Sequence, residues 1–331
     1  MCPPDPSSPE PPAAPATGPE VSPGTGPGIS PEISVVVAHL NQPEPLRILL
    51  ASLFAQDFDL RRVEVIVVDN GSRTLPHAEI ADFPGVRLAD EAAPGPGPAR
   101  NRGVALSRAP LLAFTDSDCV AAPDWLATIR NRFAADPGLR VAGGRIALLT
   151  RIPGDPTPVE AYECVYAFDQ RDYIERKGFS VTANLAMRRE TFDAVGPFAG
   201  IEIAEDMDWG ERATALGIRT RYLPDMLIAH PARHSLAEMR AKWDRNISHH
   251  YRVRARGAAG KAKWTLAALA MCALPVAQIP HILRSDRIAG AGNRLRAFRG
   301  LAAVQAYRCR RMLAVMAAPA GNAGNLDWNR K

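Results

Sequence analysis

Two acidic clusters are the parts of this sequence best suited to chemistry. The first is Asp116 and Asp118, which flank one serine directly after the apolar run 111–114. In an extended chain, residues two apart face the same side, so both carboxylates can converge on a hard cation such as Mg²⁺ or Mn²⁺. An Asp-x-Asp pair is also common in solvated turns, but the apolar run before it favours the metal site.

The second cluster, Glu205, Asp206 and Asp208, lies at the predicted start of a helix that ends at Gly217. Carboxylates in a first helical turn interact favourably with the helix dipole, so capping alone could account for them. Three acids within four residues also repel one another and raise each other's pKa, as a general base working near neutral pH requires. Spacing alone leaves cap and base equally open.

Two further segments carry weaker signals. His230 follows the apolar run 226–229, where a lone histidine is more often structural than a ligand. The proline- and glycine-rich segment 94–103 leads into a predicted helix, and its Arg100 and Arg102 could contact a phosphate. It lacks the ending of a P-loop, and no Gly-x-Gly-x-x-Gly follows the first predicted strand, which argues against a dinucleotide-dependent dehydrogenase.

Alternating strands and helices are predicted to position these residues. Apolar runs predict buried strands at 33–38, 63–68 and 111–114, and helical spacing predicts helices at 46–54, 99–106 and 125–133. This alternation predicts a parallel sheet covered by helices. All three strands end in polar residues, and ligands bind at the carboxyl ends of such strands, so a binding site is expected at that edge.

The pattern is less regular beyond residue 150. It predicts a helix over 159–176, a small-residue segment at 180–187 and an edge strand at 218–223 before Pro224. From about residue 236 the chain is predicted to be basic and helical. Its uncharged stretch 264–283 is just long enough to span a bilayer but contains two prolines. An amphipathic or re-entrant element at the cytoplasmic face of a membrane is therefore favoured, with a buried helix as the alternative.

Composition and charge narrow the class of protein. The chain has 331 residues, of which 47% are apolar, enough for one large domain or two modest ones. Eleven of its 30 prolines fall in residues 1–31, which hold no Lys or Arg and are predicted to be disordered. Of the total charge of +5, residues 1–31 carry −3 and residues 240–331 carry +15, which leaves −7 for the body 32–239. The basic tail suits an anionic membrane surface or a nucleotide phosphate, and the acidic body argues against nucleic acid. Five scattered cysteines and a start without a secretory signal predict a cytoplasmic protein.

Five segments, in this order, resemble the family 2 glycosyltransferases. They are VVVAHLN at 35–41, VIVVDNGS at 65–72, ARNRG at 99–103, FTDSD at 114–118 and AEDMDW at 204–209. The resemblance covers roughly residues 32–235, and five ordered motifs are more specific than any one of them. It implies an α/β fold of the GT-A type, a Rossmann-like mixed sheet covered by helices. The implied domains are the disordered tail 1–31, the GT-A domain 32–235 and a basic, membrane-associating helical extension 236–331.

The resemblance also assigns roles to individual residues. Asp206 matches the general base, with Glu205 beside it in the same catalytic motif. Asp116 and Asp118 match the pair that holds Mg²⁺ or Mn²⁺, and His230 resembles the histidine that completes the metal site. The positions that match the nucleotide-sugar site are Ala38, Asn41, Asp69, Arg100, Asn101, Asp116 and Asn184, with Asp69 at the base and Asn184 beside the sugar. The segment AHLN at 38–41 replaces the commoner Pro-Thr-Tyr-Asn, so UDP-, GDP- and dTDP-linked donors all stay open.

The expected function is therefore inverting, metal-dependent transfer of a sugar from a nucleotide sugar to an acceptor hydroxyl. A lipid-linked or cell-envelope glycan at the cytoplasmic face of the membrane is the expected acceptor. The tail lacks Gln-x-x-Arg-Trp, so a single addition is favoured over processive synthesis. Two alternatives are a non-catalytic nucleotide-sugar-binding module that recruits a partner or a membrane through its tail, and a nucleic-acid-binding protein, which the acidic body disfavours.

Overall fold

The computed structural model describes residues 30–255 and 257–317, which form two units. The first, here called the sheet unit, comprises residues 30–147 and 168–230. The second, the helical unit, comprises residues 148–167 and the described residues from 231 onward. Almost all of the predicted disordered tail, residues 1–29, lies outside the described residues, as do residues 318–331.

Eight described strands form one mixed sheet. They are β1 (Ile33–His39), β2 (Val63–Asp69), β3 (Arg87–Asp90), β4 (Leu111–Asp116), β5 (Val120–Ala121), β6 (Val141–Leu149), β7 (Leu185–Arg188) and β8 (Arg221–Pro231), in the spatial order β3-β2-β1-β4-β7-β6-β8-β5. The first four strands are parallel, and the sequence predicts three of them, β1, β2 and β4. From β4 onward, β7 runs antiparallel to both β4 and β6, and β5 runs antiparallel to β8. These antiparallel strands make the sheet mixed, as the family resemblance implies. The alternation of strands and helices does not predict them, because a buried apolar run identifies a strand but not its direction.

Twelve described helices accompany the strands. They are α1 (Pro43–Phe54), α2 (His77–Ile80), α3 (Pro96–Leu106), α4 (Trp125–Ala135), α5 (Pro158–Tyr166), α6 (Gln170–Lys177), α7 (Arg189–Val195), α8 (Glu205–Ala215), α9 (Leu236–Arg254), α10 (Gly257–Ala277), α11 (Ile279–Arg284) and α12 (Ala291–Ala317). Four of these helices have at least one end within two residues of the predicted end. They are α1 (predicted at 46–54), α3 (99–106), α4 (125–133) and α8 (205–217).

The sheet has an apolar core on each face. Val35 and Val37 of β1 pack with Leu50 of α1 and Ile129 of α4, whereas the intervening Val36 packs in the opposite core. Successive strand residues point to opposite faces, so a strand covered on both sides is apolar throughout. Polar side chains therefore lie mainly at the carboxyl ends of the parallel strands β1, β2 and β4.

Two predicted elements differ from the structure. The helix predicted over 159–176 is broken, because Phe168 adopts a φ of 50° and Asp169 caps a new helix by accepting a hydrogen bond from the backbone N–H of Asp172 at 3.2 Å. The edge strand predicted over 218–223 is β8, which starts at Arg221, continues through Pro224 and lies between β6 and β5. Pro224 therefore lies inside the strand and does not end it.

The helical unit has its own apolar clusters. Val159 and Tyr162 of α5 pack with Leu301 and Val304 of α12, and Trp264 of α10 packs with Met312. The uncharged stretch 264–283 is divided between α10 and α11, with Gln278 between them. Within the described ranges no helix is both long and apolar enough to cross a bilayer.

Candidate active site

The Asp-x-Asp segment forms a tight turn between β4 and β5. Asp116 ends β4, and its carbonyl oxygen accepts a hydrogen bond from the Cys119 N–H at 3.1 Å. Val120 of β5 then pairs with Ala229 of β8. This pairing brings His230 beside the turn, where its Nε2 lies 3.4 Å from Oδ1 of Asp118. Residues 112 positions apart are thus joined by the edge of the sheet.

The donor atoms at this turn suit a hard divalent cation. One ligand atom from each of Asp118, Cys119 and His230 lies within 4.8 Å of the others. Burial, followed by the nearby charges of Asp116 and Asp118, raises the pKa of the Cys119 thiol well above its ordinary value. A protonated thiol is a poor ligand for Mg²⁺ or Mn²⁺, whereas a carboxylate and an imidazole fit Mn²⁺ well. Asp118 and His230 could therefore hold such an ion, and Asp116 is not in this cluster.

Gln42 is a member of this site that the sequence analysis missed. Its side-chain oxygen accepts a hydrogen bond from Ser117 Oγ at 2.6 Å, and its Nε2 lies 3.4 Å from Oδ2 of Asp118. Gln42 and His230 therefore contact different oxygens of the same Asp118 carboxylate. Gln42 directly precedes the proline that begins α1, and nothing in the local pattern distinguishes it from an ordinary loop residue.

A buried arginine joins the two acidic clusters. Arg100 donates from Nη2 to Oδ1 of Asp116 at 2.7 Å and from Nη1 to Oε1 of Glu205 at 2.8 Å. Its side chain is only 4% exposed. Glu205 is the first residue of α8, so the Glu-Asp motif and the Asp-x-Asp turn lie at one edge of the sheet unit. Each terminal nitrogen of Arg100 forms one ion pair and carries a second N–H, so the phosphate contact expected from the sequence stays a prediction.

Asp206 has the electrostatic character of a general base. Burial, followed by the negative charge of Glu205, raises the pKa of Asp206 to about 6, despite the opposing charge of Arg100. Its Oδ1 accepts a hydrogen bond from the N–H of Met207 at 2.8 Å. A carboxylate with a pKa near 6 is ionised at neutral pH and remains basic enough to accept a proton.

Close packing of a glycine-rich turn fixes the start of α8. Gly95 has a φ of +117°, which favours glycine, and a Cβ at Gly97 would overlap the carbonyl oxygen of Ala199. Asn101 of α3 then donates to the carbonyl of Phe198 at 2.9 Å and accepts from its N–H at 2.8 Å. The nucleotide-sugar contact predicted for Asn101 would have to compete with these two bonds.

At the β1–β2 edge, Asp69 is turned into the protein. Its carboxylate accepts hydrogen bonds from the N–H groups of Gly71 and Ser72 at 3.0 and 2.8 Å and lies 2.9 Å from Nδ1 of His39. Burial raises the pKa of Asp69, but hydrogen bonds from Ser72 and His39 outweigh it and leave the pKa below its ordinary value. Asp69 thereby shapes this turn, and its contact with a nucleotide base stays a prediction.

The other residues predicted to bind the nucleotide sugar differ in their burial and in how many of their polar groups already have partners. The backbone N–H of Asn41 donates to Ser72 Oγ at 2.8 Å, and its side-chain oxygen accepts from Arg73. Ala38 pairs with Asp116 in the sheet and is partly exposed at the site edge. Asn184 is fully buried: it accepts from Trp125 Nε1 at 2.9 Å and donates to the carbonyls of residues 145 and 226, both at 2.8 Å. A side-chain contact of Asn184 with the donor sugar does not fit this geometry.

Comparisons with known proteins show the family to which this chain belongs. Residues 34–201 match the family model for glycosyl transferase family 2. Glycosyltransferase AglE of Haloferax volcanii is 28% identical over 207 residues, which cover 61% of this chain and 67% of that protein. Pre-mycofactocin glycosyltransferase of Mycobacterium tuberculosis is 31% identical over 224 residues, 64% of this chain. The chain spans only 45% of that relative's length.

Solved structures share the fold. The mannosyltransferase PcManGT from Pyrobaculum calidifontis, in complex with GDP-Man and Mn²⁺, has a TM-score of 0.54 at 19% identity and covers 89% of both chains. Staphylococcus aureus TarS residues 1–349, in complex with UDP-GlcNAc, have a TM-score of 0.50 at 17% identity, with 83% of this chain and 90% of that chain covered. These likenesses confirm the predicted GT-A fold. The family match over half of the chain establishes that this protein is an enzyme of glycosyltransferase family 2.

Proposed function

We propose that this enzyme transfers a sugar with inversion, using a divalent cation and Asp206 as general base. The observation that carries the proposal is the Arg100 bridge, because it holds the Asp-x-Asp turn and the Glu-Asp motif at one edge. Such a reaction needs a leaving-group site and a base on opposite sides of one anomeric carbon. The bridge supports this arrangement because Asp116 and Glu205, which are far apart in sequence, bind the same guanidinium.

The donor side of the proposed site consists of Asp118, His230 and Asp116. The carboxylate of Asp118 and the imidazole of His230 fit Mn²⁺ or Mg²⁺. Asp116 lies two residues before Asp118, at the end of β4. When bound, the cation would act as a Lewis acid that neutralises the diphosphate leaving group. Asp118 keeps about a fifth of its side chain exposed, at 21%, and Asp116 about a third, at 33%, so both carboxylates can still accept a ligand.

Asp206 acts on the acceptor side. Its carboxylate takes the proton of the acceptor hydroxyl while the hydroxyl oxygen forms a bond to the anomeric carbon and the bond to the diphosphate oxygen breaks. Attack from the face opposite the diphosphate gives inversion. The raised pKa of Asp206, about 6, makes it a better proton acceptor than an ordinary aspartate.

The proposed donor is a nucleoside diphosphate sugar, with UDP-, GDP- and dTDP-linked sugars as candidates. PcManGT is solved with GDP-Man and TarS with UDP-GlcNAc, so the shared fold accommodates more than one base. In this chain His39 cannot stack on a base in its present position, because its ring is 2% exposed and bound to Asp69. Recognition of the base must therefore come from other groups at the β1–β2 edge.

The test combines donor binding with turnover. The three classes of nucleotide sugar are screened with and without Mn²⁺ for a rise in melting temperature and for transfer to a hydroxyl acceptor. Asp118→Ala should abolish the Mn²⁺-dependent shift, whereas Asp124→Ala, an exposed acid six residues away, should not. Asp206→Asn should keep donor binding and lose at least about a hundredfold in turnover. Near-normal turnover of Asp206→Asn would remove the general base from the proposal. Hydrolysis or transfer by the wild type also excludes a purely non-catalytic binding module.

We further propose that the helical unit binds an anionic membrane surface and that the acceptor is a lipid-linked or cell-envelope glycan. Between residues 264 and 283 the exposed positions of α10 and α11 are apolar except for His281, and they include Leu266, Leu269, Val276 and Leu283 at 54–68% exposure. Exposed Lys261, Lys263 and Arg284 flank this strip. An apolar strip with basic ends suits the interface of a bilayer containing anionic lipid.

Vesicle sedimentation tests the membrane proposal. The wild type should bind vesicles that contain phosphatidylglycerol more tightly than vesicles of phosphatidylcholine alone. The double variant Leu269→Glu/Val276→Glu should lose most of this binding, whereas Ile48→Glu, an equally exposed apolar residue on α1, should retain it. Equal binding of the wild type and the double variant would contradict the proposal, and so would no binding of the wild type to either vesicle.

A further inference from the structure

Arg100 occupies an unusual position for a site that is expected to bind phosphates. A cation close to a nucleotide diphosphate would normally be accessible to it, but this guanidinium is buried and holds two carboxylates of its own chain. Asp116 belongs to the donor side of the site, and Glu205 belongs to the acceptor side. The side chain therefore lies between the two halves of the proposed reaction.

We propose that Arg100 is a positioning residue that fixes the start of α8, and with it Asp206, against the Asp-x-Asp turn. This inference rests on the proposed function, because it assigns Arg100 a role in setting the distance between the donor site and the base. Glu205, in turn, acts as the anchor through which Arg100 holds α8, while Asp206 is the group that contacts the acceptor.

The geometry of the guanidinium supports this role. Its two terminal nitrogens form a planar fork, and each ion pair uses one of them, at 2.7 and 2.8 Å. A fork of this kind fixes the direction of both partners, whereas a lysine ammonium acts as a point charge. The Nε of Arg100 is buried without a hydrogen-bond partner among the described residues, so the two ion pairs are what hold the side chain in place.

The backbone around Arg100 is rigid enough to transmit this constraint. Pro96 lies in the first turn of α3, and the close approach of Gly97 to Ala199 fixes the helix against the segment before α8. Asn101 adds two hydrogen bonds to Phe198. The segment 198–204 is therefore attached to α3 at several points, and Arg100 provides the link that reaches Glu205 itself.

Loss of Arg100 should separate the two motifs rather than remove a ligand. Asp116 and Glu205 would then face each other as unpaired carboxylates, and their repulsion would move the first turn of α8. Donor and cation ligands would still be present. The expected defect is therefore in turnover at saturating donor, more than in donor affinity.

The test is a double-mutant cycle at these two positions, with kcat and donor KM measured separately for the full chain. Arg100→Met should lower kcat at least about thirtyfold and change donor KM less than fivefold. Glu205→Gln should lower kcat by a smaller factor, and the double variant should be no slower than Arg100→Met alone, because both changes break the same link. Arg100→Lys should recover part of the loss. Arg61→Met is the matched control: this exposed arginine makes a two-nitrogen ion pair with Asp59 at the opposite end of β2.

The outcomes separate this inference from the proposed function. If Arg100→Met retains wild-type kcat while Asp206→Asn is inactive, the inference is wrong and the proposed base still holds. A multiplicative loss in the double variant would also contradict it, because independent effects would then be present. Melting curves show whether each variant is folded at the assay temperature. If Arg100→Met does not fold, Arg100→Lys and Glu205→Gln decide the question through the same split between kcat and donor KM.

Discussion

Replacement of the proposed base should make the protein more stable. The pKa of Asp206 is raised from 3.8 to about 6 in the folded chain, so its charged form is less favourable there than in the unfolded chain. Each pH unit corresponds to about 1.4 kcal/mol, which gives a cost of at most about 3 kcal/mol at pH 8, where the carboxylate is ionised in both states. Asp206→Asn removes this cost with little change in shape.

The sign of this effect depends on pH in a defined way. A raised carboxyl pKa means that the folded state binds the proton more tightly, so folding loses stability as pH rises through the interval between 3.8 and about 6. The gain from Asp206→Asn should thus be about 1 kcal/mol at pH 4.5 and approach about 3 kcal/mol at pH 8. For a domain of this size the larger value corresponds to a rise in Tm of roughly 5 to 10 °C.

Urea unfolding at the two pH values measures this difference directly. Asp208→Asn is the control, because it lies on the same helix and loses only a partly exposed ion pair with Arg212 at 2.9 Å. It should lower the free energy of unfolding by less than about 1 kcal/mol. A loss of stability in Asp206→Asn at pH 8, or a gain that is identical at both pH values, would show that burial beside Glu205 does not disfavour the charged form.

Three further predictions follow from the same site. The kcat of the wild type should fall tenfold per pH unit below about pH 6. Glu205→Gln should move this acidic limb of the pH profile to lower pH, because burial and the charge of Glu205 together raise the pKa of Asp206. An acidic limb at the same pH in both proteins would contradict the assignment of Asp206 as general base. Gly97→Ala should lower kcat at least about tenfold because its Cβ would displace Ala199, whereas Gly200→Ala, with open space around its Cβ, should be silent in the same assay. Asn184→Ala should lower the free energy of unfolding in urea by about 3 kcal/mol, because three buried hydrogen bonds are lost. Its donor KM should stay within about twofold of the wild-type value. A large change in KM with unchanged stability would instead support the predicted contact of Asn184 with the donor sugar.

The sequence is sufficient to predict three of the four parallel strands, β1, β2 and β4, and it singles out both acidic clusters as candidate sites. Buried runs such as 33–38 and 63–68 are apolar on both faces, a pattern that few other structures produce. Spacing predicts that Asp116 and Asp118 face one side of an extended chain, whereas residues 117 and 118 form a turn in the structure. Asp116 therefore binds Arg100, and Asp118 lies near His230. The link from Asp116 through Arg100 to Glu205 could not be predicted, because it depends on a turn around Gly97 whose packing against residue 199 has no local signature.

Some side chains predicted to bind the donor also have partners inside the protein. The two guanidinium groups of segment 94–103 indicate a phosphate contact for Arg100, and the family resemblance implies a position beside the donor sugar for Asn184. In the structure one bridges two carboxylates and the other joins three segments of the core. Residue type indicates which hydrogen bonds and ion pairs a side chain can form, but the surrounding packing determines which partner it binds. Phe168 shows the same limit for the backbone, since its positive φ is uncommon for an aromatic residue.

The two-residue strand β5 has a consequence for the order in which this enzyme matures on the ribosome. Asp118 emerges more than a hundred residues before His230, and the two meet only when β8 adds to the sheet beside β5. A nascent chain that ends before β8 already contains the parallel strands β1 to β4, yet of the two side chains proposed to bind the cation it has only the Asp118 carboxylate. Tight binding of Mn²⁺ at the proposed site would therefore be expected only after the whole sheet unit has folded, and not at the start of its folding.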